Sequence, residues 1–233
     1  MTNLISHMRR DLYAAKDRDP AARSLLEVAL FYPGVHAVWG YRVAHQLWIS
    51  NYKFLARGLS FLIRALTSVD IHPGAQLGPG LFIDHALGVV IGETAEVGEN
   101  VTIYHGVTLG GRGLEMGKRH PTVGNGVTIG AGAKVLGPIT VGDGARIGAN
   151  AVVVRPVPAN VVVVGIPGQV VDDHSKGRPG LIDTSQPDVL GAAIKSLKHR
   201  VDEIEEKVIG HIEHDDDVRM DEDGVWILED FSI

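Results

Sequence analysis

Between Ile71 and Val153 an aliphatic residue opens one short unit after another: Ile71, Leu77, Ile83, Ile91, Val97, Ile103, Leu109, Val123, Ile129, Val135, Val141, Ile147 and Val153. The usual step is six residues, Gly follows most of the openers, and the fifth place is mostly Ala, Val, Ile or Leu. A helix repeats its apolar positions about every 3.6 residues and a single strand about every 2. Neither accounts for a period of six, which is an internal repeat. Each unit predicts a short extended segment followed by a glycine-assisted turn. Six residues make one side of a prism and three sides one coil. The openers then stack inside in rows along the prism axis, each coil burying its apolar edge against the next.

Two units break the period. Ile83 to Ile91 spans eight residues and Leu109 to Val123 fourteen. A packed coil cannot absorb extra residues, so both insertions are expected to bulge outward, one carrying His85 and the other His120.

Before the repeat, residues 1–68 follow helical spacing. Met8, Leu12 and Ala15 share a face. Asp19-Pro20 predicts a break and restart, with Asp19 as N-cap and Pro20 at the first helical position. Pro33-Gly34 marks another break, and Val35 to Trp48 and Phe54 to Leu66 predict two more helices. After the repeat, Gly165, Pro167 and Gly168 end the prism, and residues 172–187 are polar and read as a linker. Over 188–212, Leu190, Ile194, Leu197, Val201, Ile204 and Val208 mark an amphipathic helix with an a/d-like seam. Residues 213–233 are expected to be a flexible acidic tail with too little apolar surface to fold alone. The fold class is therefore α+β: an N-terminal helical domain (1–68), a parallel β-helix (69–171), a C-terminal helix and the tail.

Composition narrows the chemistry. The 233 residues contain no cysteine, which removes disulfides, thiolate catalysis and cysteine-based zinc sites. No apolar run is long enough to span a bilayer and no leader pattern precedes the helices, so the expected location is cytoplasmic, without membrane contact. The net charge of −6 divides unevenly. Residues 202–233 hold 13 acidic and 2 basic side chains, whereas the preceding part is net basic. A mildly basic body suits a polyphosphate ligand, and the absence of a dense basic stripe argues against nucleic acid.

The candidate chemistry sits in the insertions. Asp84 and His85 lie in the first, and Asp70 stands just before the first repeat unit. A hydroxyl becomes a useful nucleophile when a base takes its proton, and a histidine steadied by a carboxylate suits that task. The second insertion is Gly-rich with Arg112, Lys118 and Arg119.

These motifs resemble one family. VDIHP at 69–73, DHALGVVIGETA at 84–95, HGVTLGG at 105–111, RHP at 119–121, IGAGAKVLGPI at 129–139 and VVGIPGQVV at 163–171 resemble the serine O-acetyltransferases. RDPA at 18–21 and GVHAVWGYRVAHQLW at 34–48 are similar to that family's helical domain. The resemblance covers roughly residues 10–172 and implies a left-handed β-helix. It implies acetyl transfer from acetyl-CoA to L-serine, the first step of cysteine biosynthesis, with no cofactor beyond acetyl-CoA as co-substrate and no metal. His85 is then the general base and Asp70 its carboxylate partner. Asp19, Asp84, Arg119 and His120 hold the serine ammonium and carboxylate, with Glu93 in support. The second insertion becomes a flap over acetyl-CoA, with Gly110, Gly111, Gly130, Ala131, Gly132, Ala133 and Lys134 along the pantetheine arm. Relatives often carry Thr where Leu87 stands, a difference beside His85 that bears on packing.

The resemblance further implies L-cysteine as feedback inhibitor and a homotrimer or a dimer of trimers, since the acyl-CoA site of this class lies between neighbouring prisms. It also implies a complex with O-acetylserine sulfhydrylase through the C-terminal tip, Phe231 and Ile233. Three alternatives stay open at this level. One is a hexapeptide-repeat acetyltransferase for another hydroxyl acceptor, such as homoserine or a sugar. Another is a non-catalytic scaffold. The third is a metal enzyme like the gamma-class carbonic anhydrases: His85 and His105 hold equivalent places one coil apart, about 4.8 Å by strand spacing, although a third histidine of fitting spacing is absent.

Overall fold

The computed structural model describes residues 2–113, 116–171, 196–204, 218–220 and 226–228. Four helices come first: α1 (Thr2–Arg18), α2 (Leu25–Phe31), α3 (Pro33–Ile49) and α4 (Lys53–Thr67). The expected N-cap at Asp19 is corrected. Asp19 Oδ1 accepts the Ala21 N–H at 2.8 Å, closing a local turn, and Ser24 instead caps α2 by accepting the Glu27 N–H at 3.1 Å. An aspartate that bonds two residues ahead in a turn has no oxygen aimed at a later helix end. Pro33 opens α3, where its missing N–H costs nothing.

The repeat then winds into a prism with three faces. Face A stacks β1 (Asp70–Ile71), β4 (Val90–Ile91), β7 (Thr108–Gly110), β10 (Lys134–Leu136) and β13 (Val152–Val153). Face B stacks β2 (Gln76–Leu77), β5 (Glu96–Val97), β8 (Thr122–Val123) and β11 (Thr140–Val141). Face C stacks β3 (Phe82–Ile83), β6 (Thr102–Ile103), β9 (Thr128–Ile129), β12 (Arg146–Ile147) and β14 (Val162–Val164). All these pairs are parallel, forming the left-handed parallel β-helix of hexapeptide repeats. The registers put opener on opener: Ile71 on Ile91 on Leu109, Leu77 on Val97 on Val123, and Ile83 on Ile103 on Ile129. The three rows are buried in one continuous core.

The two irregular units fall where the period predicted. Asp70 pairs with Val90 and Val90 with Thr108, so the first of these turns of chain carries two extra residues. Glu96 pairs with Thr122 and Thr122 with Thr140, which places eight extra residues in the second insertion. The prism closes on β15 (Gln169–Val171), which runs antiparallel to β14.

The helices are pinned to the first coil by a buried ion pair. Arg42 Nε and Nη2 donate to Asp11 Oδ2 and Oδ1 at 2.5 and 2.8 Å. The guanidinium also donates to the Leu77 and Gly78 carbonyls, and Asp11 Oδ1 accepts the Gly80 N–H. Both charges are buried with their hydrogen bonds made, the condition under which such a pair is tolerated.

Residues 196–204 form a helix α5 whose Leu197, Val201 and Ile204 are exposed. The rest of the expected 188–212 helix, the 172–187 linker, and Phe231 and Ile233 lie outside the described residues. Of the expected acidic tail, only residues 218–220 and 226–228 are among the described residues. There β16 (Val218–Met220) pairs antiparallel with β17 (Trp226–Leu228). No helix among the described residues is long and apolar enough to cross a membrane.

Candidate active site

The first insertion leaves face C after Ile83 and enters face A at Val90. Within it His85 and Ala86 have φ of 57° and 62°, in the left-handed region that non-glycine residues seldom adopt. Each is the centre of a tight turn: Ala86 N donates to Asp84 O at 2.7 Å and Leu87 N to His85 O at 2.7 Å. Backbone strain of this kind collects at functional sites. It leaves the His85 side chain 76% exposed, with Nε2 4.0 Å from Asp84 Oδ2. One coil below, His105 meets His85 edge-on with ring centroids 5.9 Å apart. Among the described residues no group of three His, Asp or Glu is arranged to hold a metal ion.

Asp19 joins this corner from the helical layer. Its Oδ2 accepts the Tyr32 hydroxyl at 2.5 Å. Burial, and then this bond to Asp19, push the Tyr32 hydroxyl up to about 12, so it remains a donor. Asp84 titrates above the usual carboxylate range because it is half-buried; His85 pulls the other way and Asp19 adds to the rise. Burial, Asp84 and Asp19 also raise the Tyr104 hydroxyl. Two carboxylates between two tyrosines form a compact acidic half-site. Gly130, Ala131, Gly132 and Ala133 turn the same C–A corner farther along the prism. Lys134, at the start of β10, donates to the Gly132 carbonyl at 2.8 Å and to the Gly106 carbonyl.

The second insertion lies at another corner, between faces A and B. Arg112 N donates to Arg119 O at 3.2 Å and closes the base of the loop. Arg119 Nη2 reaches Glu93 Oε2 at 2.7 Å, and Lys118 reaches Glu96 Oε1 at 2.8 Å. His120 is buried, with its Nε2 against Gly92 and Gly111; a Cβ at Gly92 would fall 1.9 Å from that nitrogen. Burial and then Arg119 hold the His120 imidazole below its ordinary value. This half-site offers hydrogen-bond donors, the Arg119 guanidinium paired with Glu93 and the His120 ring, where the other offers carboxylates.

The predicted site residues thus divide into two sets at the two edges of face A. Asp19, Asp84, His85, Gly130, Ala131, Gly132, Ala133 and Lys134 gather at the C–A edge; Glu93, Gly110, Gly111, Arg119 and His120 gather at the A–B edge. The charges acting on Asp84 include His85, Asp19 and His105, and those acting on His120 are Arg119, Glu93 and Lys118, with no member in common. Asp70 bonds Arg64 Nη1 at 3.1 Å, and no hydrogen bond joins it to His85 among the described residues. The sequence reading assigned no role to Tyr32, Tyr104 or Thr94. Tyr32 directly precedes the Pro33-Gly34 break, and Thr94 occupies a turn position of the repeat.

The lowered histidines weaken the fold in acid. Burial is the first cause at His7, His72 and His120. The unfolded chain binds protons at these groups first as pH falls past 6.5, so native stability is lost from there downward. The melting midpoint is expected to fall from pH 7 to pH 5 in a thermal scan, and a rise over that interval would contradict the burial of these rings.

Comparison with known proteins matches both the helical layer and the repeat. Residues 1–39 match the family model "Serine acetyltransferase, N-terminal", and residues 120–155 match "Bacterial transferase hexapeptide (six repeats)". A serine acetyltransferase of Mycobacterium tuberculosis is 57% identical over 99% of this chain and 100% of its own length. That of Bacillus subtilis is 49% identical over 84% and 91%. Among solved structures, soybean serine acetyltransferase superposes with a TM-score of 0.71 at 47% identity, covering 73% of this chain and 70% of that one. A serine acetyltransferase in complex with cysteine gives 0.73 at 46% identity, covering 73% and 71%. Full-length identity of this order, carried on the same helices and the same prism, means that the chain belongs to the serine acetyltransferase family.

Proposed function

We propose that this chain transfers the acetyl group of acetyl-CoA to the hydroxyl of L-serine, giving O-acetyl-L-serine for cysteine synthesis. One observation carries the choice of acceptor: the site has an acidic half at Asp19 and Asp84 and a donor half at Arg119, which also pairs Glu93, and His120. An amino acid presents an ammonium and a carboxylate to match them, and a neutral sugar presents neither. His85 takes the serine hydroxyl proton as the oxygen attacks the thioester carbonyl. The C–S bond then breaks, and the departing sulfur takes the proton from His85. Asp70 and Asp84 are the carboxylates assigned to steady the imidazolium, and only Asp84 sits beside it in the isolated chain. The Gly110-Gly111 segment and the small residues from Gly130 to Ala133 leave room for the pantetheine arm, with the Arg112–Arg119 loop over it.

A complete site then requires a second copy. If face A turns toward a three-fold axis, the C–A edge of one chain meets the A–B edge of the next, and His85 faces His120 of its neighbour. The exposed apolar face of α4 supports this: Phe54, Phe61 and Leu66 are 89, 69 and 82% exposed, as is Leu87 beside His85 at 67%. Surface of that extent is normally covered in an assembly. A trimer, or a dimer of trimers, is expected by light scattering, and a monomeric active enzyme would refute it.

The decisive acceptor experiment compares acetylation of L-serine, L-homoserine, a hexosamine and 3-hydroxypropionate, with free thiol as readout. L-Serine is expected to lead, and equal or faster turnover of the sugar would overturn the acceptor. L-Cysteine, which shares both charged groups with serine, is expected to inhibit competitively with serine. The tip residues Phe231 and Ile233 are proposed, on the resemblance, to enter O-acetylserine sulfhydrylase. Equal calorimetric affinity of the full chain and the chain lacking Ile233 would remove that role.

A further inference from the structure

We propose that Thr94 is a positioning residue that fixes His120 as the neutral tautomer with its proton on Nε2. Thr94 stands in the turn between β4 and β5, one coil before His120. Its backbone N–H donates to His120 Nδ1 at 3.2 Å. A backbone amide can only donate, so Nδ1 must present its lone pair. The Thr94 hydroxyl accepts two backbone N–H groups, from Arg119 at 3.1 Å and His120 at 3.2 Å. With its acceptor capacity filled, its own proton goes to His120 Nδ1, 2.9 Å away. Two donors thus converge on Nδ1, and the ring proton is left on Nε2.

A proton on Nδ1 would face the Thr94 amide proton and break both bonds. Burial and the neighbouring guanidinium of Arg119 also favour the uncharged ring. The same residue holds the loop's return arm, because Lys118 Nζ donates to the Thr94 carbonyl at 2.9 Å. One threonine therefore sets the ring's tautomer and its place against Gly92 and Gly111. His120 then acts as a hydrogen-bond donor through Nε2, suited to a carboxylate, and not as a second base.

The inference rests on the assignment of His120 to the serine site. The experiment is a double-mutant cycle on the full-length enzyme with Thr94→Val, His120→Gln and both together. Thr94→Val is expected to raise the KM for serine roughly tenfold, the worth of a hydrogen bond in such a site. Turnover and the KM for acetyl-CoA are expected to stay within about twofold. In the His120→Gln background Thr94→Val is expected to add little, since it acts through that ring. Thr94→Ser, which keeps the hydroxyl, is expected to restore the parent constants. Independent losses in the cycle, or an equal rise in the acetyl-CoA KM, would reduce Thr94 to a loop anchor and overturn the proposal. The ¹⁵N spectrum of histidine-labelled enzyme, assigned with His120→Gln, reads the tautomer directly. Protonation of His120 at Nδ1 would overturn the proposal, and an Nε2 proton supports it. If His120→Gln leaves the serine KM unchanged, the serine assignment of His120 fails, and the spectrum still decides the role of Thr94.

Discussion

Replacing His85 by Ala is expected to lower turnover by roughly 10²- to 10⁴-fold while acetyl-CoA still binds, the usual contribution of a general base. The side chain is 76% exposed and makes no hydrogen bond among the described residues, so its removal takes little from the fold. The backbone is the complication. Residue 85 holds φ at 57°, a conformation that Ala tolerates less well than Asn. His85→Asn therefore separates lost base from shifted loop: both variants are expected to be comparably inactive. Substantial activity in His85→Asn would mean that the imidazole is not the base. Asp70→Asn and Asp84→Asn, measured beside it, divide the supporting role between the carboxylate that faces Arg64 and the one that faces His85.

Gly34→Ala is expected to be the most damaging small substitution outside the site. A Cβ at Gly34 would lie 2.0 Å from the Ile83 carbonyl oxygen and 3.0 Å from its carbon. These are backbone atoms of β3, which pairs with β6, and the next residue's amide is bonded to Ile103 O at 2.8 Å. The strand cannot give way, so α3 must. That helix is held by Tyr41 to the Ala75 carbonyl at 2.5 Å and by Arg42 to Asp11, and lifting it strains both. Overpacking against fixed atoms costs about 3 kcal/mol, or about 10 °C in melting midpoint for a chain of this size. Because Ile83 directly precedes Asp84 and His85, activity is expected to fall below the melting range as well. A variant with unchanged midpoint and turnover would show that the helical layer does not position the first insertion.

The prism was legible because its cause is local. Openers such as Ile83 and Ile103 can be buried only in step, so the coil register follows from counting, and the residues in excess of the count mark the loops that bulge. His85 and His120 stood out as candidate site residues because of those excesses. The left-handed backbone at His85 was not legible, since Asp84-His85-Ala86-Leu87 contains no glycine to announce it. Pro20 after it makes Asp19 look like a helix cap; the competing local bond to Ala21 decides otherwise, and its second oxygen takes the distant Tyr32 hydroxyl. Thr94 was invisible for a different reason. Its partners come from a loop 25 residues later in the chain, and a threonine at that repeat position carries no sign of them. The pairing of β16 with β17 escaped because β16 carries Arg219 at its centre and stands among acidic residues.

The acidic half of one chain and the donor half of another are proposed to make a single site. Subunit complementation tests it. His85→Ala and His120→Gln chains, each impaired alone when serine is held well below the parent KM, are co-refolded in equal amounts and assayed at that serine level. In a random mixture of trimers about a quarter of the sites join an intact His85 from one chain to an intact His120 from its neighbour. The expected result is recovery of about a quarter of parent activity. Activity no greater than the mean of the two separate variants would contradict the claim, and would place both histidines in one chain's own site.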